Sequence, residues 1–197
     1  AVYIQRSVRM SWQQILSLSL LAAVVTALSN WLSTWFFTYR PQQKSADYDA
    51  VRLSVALERF AYECASVISD EATWYASEQS AGGLHSKMPA IQYPDDVTWK
   101  HLDLSLVQRL LRLQNDLIRA DDIIAFEADY ITPEMDTPEE AAEQAGLLGY
   151  RAHLIALDLR KKYPAISAPD SAHPWDYVEK LKEEYERKVE SHRQSEA

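Results

Sequence analysis

At 197 residues and 47% hydrophobic content the chain can bury an adequate core for one domain, and it holds no internal repeat or low-complexity segment. Its net charge of −9 is unevenly spread: residues 1–44 carry four bases and no acid, so the remainder has 29 acids against 20 − 4 = 16 bases, a net of −13. That excess excludes nucleic acid as a partner, because phosphate binding needs a basic face interleaved with aromatics and no such run occurs; the single cysteine, Cys64, excludes an internal disulfide.

In chain order, residues 1–9 form a stub with Arg6 and Arg9, and residues 10–39 contain no Asp, Glu, Lys or Arg. The apolar centre, Ile15 to Phe37, covers about 35 Å as a helix at ~1.5 Å per residue, against a hydrocarbon core of about 30 Å. Trp12 stands at one edge and Trp31, Trp35 and Tyr39 at the other, where amphipathic rings settle among headgroups; Arg40 and Lys44 follow. The pattern therefore predicts a single transmembrane helix over 10–39, with the lipid bilayer as its first partner. A buried core helix rarely runs so long uncharged. A cleaved signal peptide is the stronger rival, with small residues at Ala27-Leu28-Ser29, yet the apolar stretch continues past them to Phe37 and outlasts a typical h-region. Ser, Thr and Asn side chains between Ser17 and Thr34 offer hydrogen bonds to a second copy, so a homo-oligomer is open.

The positive-inside count is close. Arg6 and Arg9 precede the helix while Arg40, Lys44 and Arg52 follow it. A start at Met10 removes the first two and tips the balance toward a cytoplasmic domain, over a periplasmic one, at an inner membrane.

Residues 40–46 read as a juxtamembrane linker and 47–197 as an all-α domain, a bundle of three to four helices. The first helix, about Ala46 to Trp74, aligns Leu53, Leu57, Phe60, Ala61, Cys64, Val67 and Ile68 on one face. The second, about Asp103 to Tyr130, has a stripe through Val107, Leu110, Leu111, Leu117, Ile118, Ile124 and Ala125, on which Gln114 and Asp121 also fall. The third starts with Thr137 as N-cap, Pro138 at the first helical position and Glu140 completing a capping box, and ends at Tyr163 before Pro164. Its inner face is rich in small residues, Ala141, Ala145, Gly149, Ala152 and Ala156, which suits a close helix contact. The last, about Pro174 to Arg193, shows Trp175, Val178, Leu181, Tyr185 and Val189 on one narrow side.

One connection, residues 77–98, is too long for a bundle turn, and loops of that length are usually functional or disordered. It presents His85, Tyr93, Asp95 and Asp96, with Trp99 and His101 just beyond, as a candidate binding surface, although ordered packing over the bundle or plain mobility would account for it too. A second candidate is a buried polar group: Gln114 and Asp121 on a core stripe need a partner, which Arg151, Arg160 or His153 of the third helix could supply. No Glu-x-x-His occurs for a di-iron site, and five scattered histidines give no zinc spacing. Cys64 lies on an apolar stripe, where a buried small hydrophobe fits better than a nucleophile. No catalytic residue, cofactor or metal site is expected.

The stretches ERFAYECASVISD (Glu58 to Asp70), YPDDVTWKHLD (Tyr93 to Asp103), EQAGLLGYRAHLIALDLRKKY (Glu143 to Tyr163) and PWDYVEKLK (Pro174 to Lys182) resemble those of a group of uncharacterised bacterial proteins with one N-terminal membrane helix and a helical domain. The resemblance implies architecture and no chemistry. Together these features predict a membrane-anchored accessory or adaptor that binds a partner protein. The alternative is a sensory bundle taking a small ligand near the loop, Asp121 and His153; an uncharacterised enzyme comes third.

Overall fold

The computed structural model describes residues 12–35, 40–83, 85–130, 138–164 and 176–195. Five α-helices follow one another: α1 (Trp12–Thr34), α2 (Arg40–Ala76), α3 (Leu104–Tyr130), α4 (Pro138–Lys162) and α5 (Tyr177–Ser195), with a short 3-10 turn at Trp99–His101. No strand occurs among the described residues, so the all-α bundle is observed. The chain divides into two units, Ala1–Lys44 and Ser45–Ala197.

In the first unit, α1 is 23 residues long with no acid in its first turn and no base in its last. Its described side chains, Leu20 and residues 23–34, are all exposed, and Leu20 reaches 70%. Thr34 turns its hydroxyl back onto the Asn30 carbonyl at 2.8 Å, which satisfies a polar group within the helix itself. Among the described residues no helix is long and apolar enough to cross a membrane. The span expected over 10–39 is thus not met by a described helix; residues 10, 11 and 36–39 of it lie outside the described residues. Of the expected interfacial residues, Trp31, Trp35 and Lys44 are exposed. Tyr39 and the side chains of Trp12 and Arg40 lie outside the described residues.

Helix α2 departs from expectation at its start. Helix α2 begins at Arg40, so residues 40–46 are helical turns and not an irregular linker. Pro41 does not prevent this, since first-turn N–H groups have no intrahelical acceptor to lose. The predicted face of α2 is the buried one, with Leu53, Leu57, Ala61 and Cys64 fully buried. The helix closes with the Gln79 N–H on the Trp74 carbonyl at 2.9 Å and Glu78 at φ 51°, the left-handed residue of a Schellman ending.

Helix α3 is capped by Asp103, whose Oδ1 accepts the Ser105 N–H at 3.0 Å. Bonds from Ser105 and then Lys162 hold the Asp103 carboxyl down to about 2. Helix α4 starts at Pro138 as predicted, while its expected cap Thr137 lies outside the described residues. Asp176 caps α5 by accepting the Val178 N–H at 3.1 Å and the Glu179 N–H at 3.2 Å; Trp175 lies outside the described residues.

Helix α4 sits at the centre and packs against both α3 and α5. Its buried face, Ala141, Ala145, Leu148, Ala152, Ala156 and Leu159, is mostly small. At Gly149 an added Cβ would lie 2.7 Å from Cys64 Cβ and 2.8 Å from Leu181 Cδ2, so only a hydrogen fits where α2 and α5 meet α4. Gly146 faces the Glu184 Cβ of α5 just as tightly.

Replacing Gly149 by Ala tests this contact, because two effects oppose each other. The helix gains about 1 kcal/mol of propensity, but overpacking a closed contact costs typically about 1–3 kcal/mol. The expected outcome is a lower thermal midpoint for Gly149→Ala and a still lower one for Gly149→Leu. Gly83→Ala, whose Cβ meets nothing within 4 Å, serves as the neutral control. A Gly149→Ala chain that melts at or above the parent would show that α4 is not closed at this position.

Candidate functional site

A long segment without regular structure must still satisfy its backbone polar groups. Between α2 and α3 three helix-borne aspartates supply acceptors. Asp49 of α2, only 3% exposed, accepts the Thr98 N–H at 3.0 Å. Asp121 of α3 accepts the Met88 N–H at 2.9 Å. Asp70, late in α2, meets His85 Nε2 at 2.9 Å. Arg52 adds an ion pair to Asp96 at 2.7 Å, and the Tyr93 hydroxyl donates to the Leu110 carbonyl at 3.1 Å.

Between these ties Met88, Val97 and Leu102 enter the core, and Ile91, Tyr93 and Trp99 pack against it. The segment is therefore a strap laid over the bundle, the ordered alternative among those expected for 77–98. Burial pushes the Tyr93 phenol up, whereas the Arg52 guanidinium holds the Asp96 carboxyl below its ordinary value.

The expected buried polar group does not assemble. Gln114 is exposed, and Asp121 turns to the strap. Arg151 is exposed and pairs with Asp116 at 3.4 Å. His153 is half-buried and stacks on Tyr150 with ring centroids 6.3 Å apart, while Arg160 pairs with Glu58 of α2. The physical reason is a rotated face: α3 buries Leu106, Leu110, Leu113, Ala120 and Ile124, which leaves positions 114 and 121 at its margin. Burial lowers the His153 pKa, with the nearby Glu58 charge acting against it.

Of the candidate surface residues, Tyr93, Asp95 and Trp99 come together. With Leu111 and Gln114 of α3 they line an open groove that also touches Ile91, Gln92 and Pro94. The Tyr93 and Trp99 rings meet edge to face at 5.9 Å. His85 and Asp96 serve as strap ties instead, and His101 is half-buried with its Nδ1 lacking a hydrogen-bond partner among the described residues. Beside the groove, α3 exposes Leu104 at 81%, Leu111 at 48% and Ile118 at 57%, one apolar residue every two turns along a single side. Among the described residues no group of three or more His, Cys, Asp or Glu could hold a metal ion. Burial raises the Cys64 thiol, an environment that disfavours the thiolate.

Asp49 and Asp70 were not singled out from the sequence. Asp49 does carry a signal, since it lies on the same face as Ala46, Ala50 and Leu53, where a carboxylate demands donors.

Removing one tie should loosen the strap without dissolving the bundle. Asp121→Ala leaves the Met88 N–H without its acceptor, at a cost of about 1 kcal/mol for a partly exposed hydrogen bond. The expected result is a lower thermal midpoint together with faster amide exchange across residues 85–91. Asp121→Asn, which keeps an acceptor oxygen, should lose less, and the exposed Asp95→Ala should change neither reading. Unaltered exchange in Asp121→Ala would mean that the strap is held without this bond.

Comparison with protein-family models, with curated proteins and with solved structures finds no match for this chain.

Proposed function

We propose that the chain is a membrane-anchored helical adaptor, tethered through α1 as a single-pass helix and binding a partner protein through the outer side of α3 and the adjoining strap groove. The observation that carries the reading is the apolar ridge of Leu104, Leu111 and Ile118. Exposed apolar residues standing singly are ordinary. A row of them beside an aromatic-lined groove is the form that protein-binding sites take. Leu111 belongs to both features, which makes ridge and groove neighbours.

A tether through α1 is supported by its exposed apolar side chains and by the uncharged stretch in which it lies. A bilayer is the solvent that accepts such a helix. The flanking charge count favours a cytoplasmic face for the bundle. The resemblance to single-helix bacterial membrane proteins agrees with this architecture and assigns no activity. The sensory alternative loses support, because Asp121 and His153, the pair meant to line its cleft, face different partners.

Two measurements test the reading. The full-length chain should stay in the membrane pellet after alkaline carbonate washing; release, or a shortened product, would remove the anchor. A photo-crosslinking residue at position 118 should give one discrete adduct in membranes, lost when Leu111→Asp is added. The same probe at the exposed Glu183 of α5 should give none. Equal adducts at both positions, or none at 118, would defeat the α3 interface.

A further inference from the structure

The bundle segregates its charge. Two adjoining grooves between α3 and α4 are lined by six of the sixteen bases that follow residue 44 and by three of the 29 acids. The rest of the domain then holds 16 − 6 = 10 bases against 29 − 3 = 26 acids. Arg109, Arg112, Arg119 and Arg151 border the first groove, about 470 Å³, and Lys161 and Lys162 join Arg109 at the second. The acids are Asp103, Asp116 and Asp158.

Three of the bases are engaged. Arg109 pairs with Asp158, Lys162 with Asp103 at 3.2 Å, and Arg151 with Asp116 at a loose 3.4 Å. Arg112 and Arg119, exposed and two turns apart on α3, have no ion pair among the described residues. Between the walls lies an apolar floor of buried Leu113 and Ile155 and part-exposed Leu154.

The shape and chemistry select the occupant. From Ser105 to Arg119 the trough follows α3 for about 21 Å at ~1.5 Å per residue, longer than a compact anion needs. Guanidinium forks match carboxylates, and the floor accepts aliphatic side chains. Among the described residues no aromatic ring lines either groove for base stacking, which counts against a nucleic-acid strand. A polyanion that runs past the trough, whether nucleic acid or an anionic bilayer, also meets the acidic remainder of the domain. A short segment ends before it does, and charges beyond roughly 8–10 Å are screened.

We infer that this trough docks a short acidic, partly apolar peptide segment of the partner protein, with carboxylates on Arg112, Arg119 and Arg151 and aliphatic side chains on the Leu113–Leu154–Ile155 floor. The inference rests on the adaptor reading and names the chemistry of the partner.

The test uses the full chain in nanodiscs of zwitterionic lipid and a fluorescein-labelled peptide of Glu-Glu-Leu repeats, read by anisotropy. The same peptide with Gln for Glu should bind at least about tenfold more weakly, and so should the parent peptide to the triple variant Arg112→Gln, Arg119→Gln, Arg151→Gln. Raising the salt should weaken binding of the acidic peptide. All three side chains are exposed, so the thermal midpoint should hold; if the triple variant unfolds, Arg112→Gln and Arg119→Gln are measured singly and should each lower affinity. Equal affinity of variant and parent overturns the proposal. So does tighter, arginine-dependent binding of an oligothymidine or of phosphatidylserine vesicles than of the peptide. The adduct at position 118 separates the two readings: if it persists while the peptide fails to bind, the acidic-segment proposal falls alone, and if both fail, the adaptor reading falls with it.

Discussion

How closely α4 lets its neighbours approach governs the rest of the bundle. A helix in contact with three others must present little side chain at the crossing points, because interiors are packed to the density of organic crystals. Gly149 meets that demand where Cys64 and Leu181 converge, and Gly146 meets it against Glu184. With α5 drawn onto α4, Lys188 reaches both Glu140 and Glu143, so an ion-pair cluster follows from the close contact. The same contact seals Cys64 under α4. Its burial is thus a packing consequence, and the thiol has no approach from solvent for chemistry.

The strap presents the opposite problem, a chain whose backbone donors cannot pair with one another. Carboxylates are strong acceptors for such N–H groups, and a carboxylate rooted on a helix is held in place by the helix. Asp49 and Asp121 each accept one strap N–H, and Asp70 meets the His85 ring. The acid-rich composition of the domain therefore has a structural share as well as a solvated one. Together with the burial of Met88, Val97 and Leu102, these ties hold the strap that sets Tyr93 and Trp99 beside Leu111 in the groove proposed for the partner.

Features with a local cause were legible in the sequence. The core stripe of α2 follows from apolar spacing, and the start of α4 from Pro138. Helix α2 starts at Arg40 and not at about Ala46, because its apolar stripe begins only beyond the first turn, which tolerates Pro41. Gln114 and Asp121 were placed on a core face because a stripe drawn through Val107 and Leu117 is turned away from the face that tertiary packing buries; α3 centres on Leu106, Leu113 and Ala120. The strap ties of Asp70 and Asp121 join residues 15 and 33 positions apart, and no periodicity reports such a pairing. The apolar stretch around α1 remains the clearest element of the sequence, while its membrane role stays a proposal.

The basic trough was illegible for a related reason, and it revises what net charge says about partners. A net of −13 after residue 44 is an average over the sequence, whereas Arg112 and Arg119 on α3 meet Arg151 on α4 only through the fold. Averaged charge governs approach over distances beyond the screening length, and the local set governs contact. On the proposed reading the two together discriminate by length: the 26 acids outside the trough repel a long polyanion, while a short acidic segment meets the bases inside it. On the proposed reading the ridge of Leu104, Leu111 and Ile118 contributes non-directional affinity, and the arginines restrict which partner can use it. On that reading, rejection of nucleic acid and capture of an acidic peptide are two results of one charge distribution.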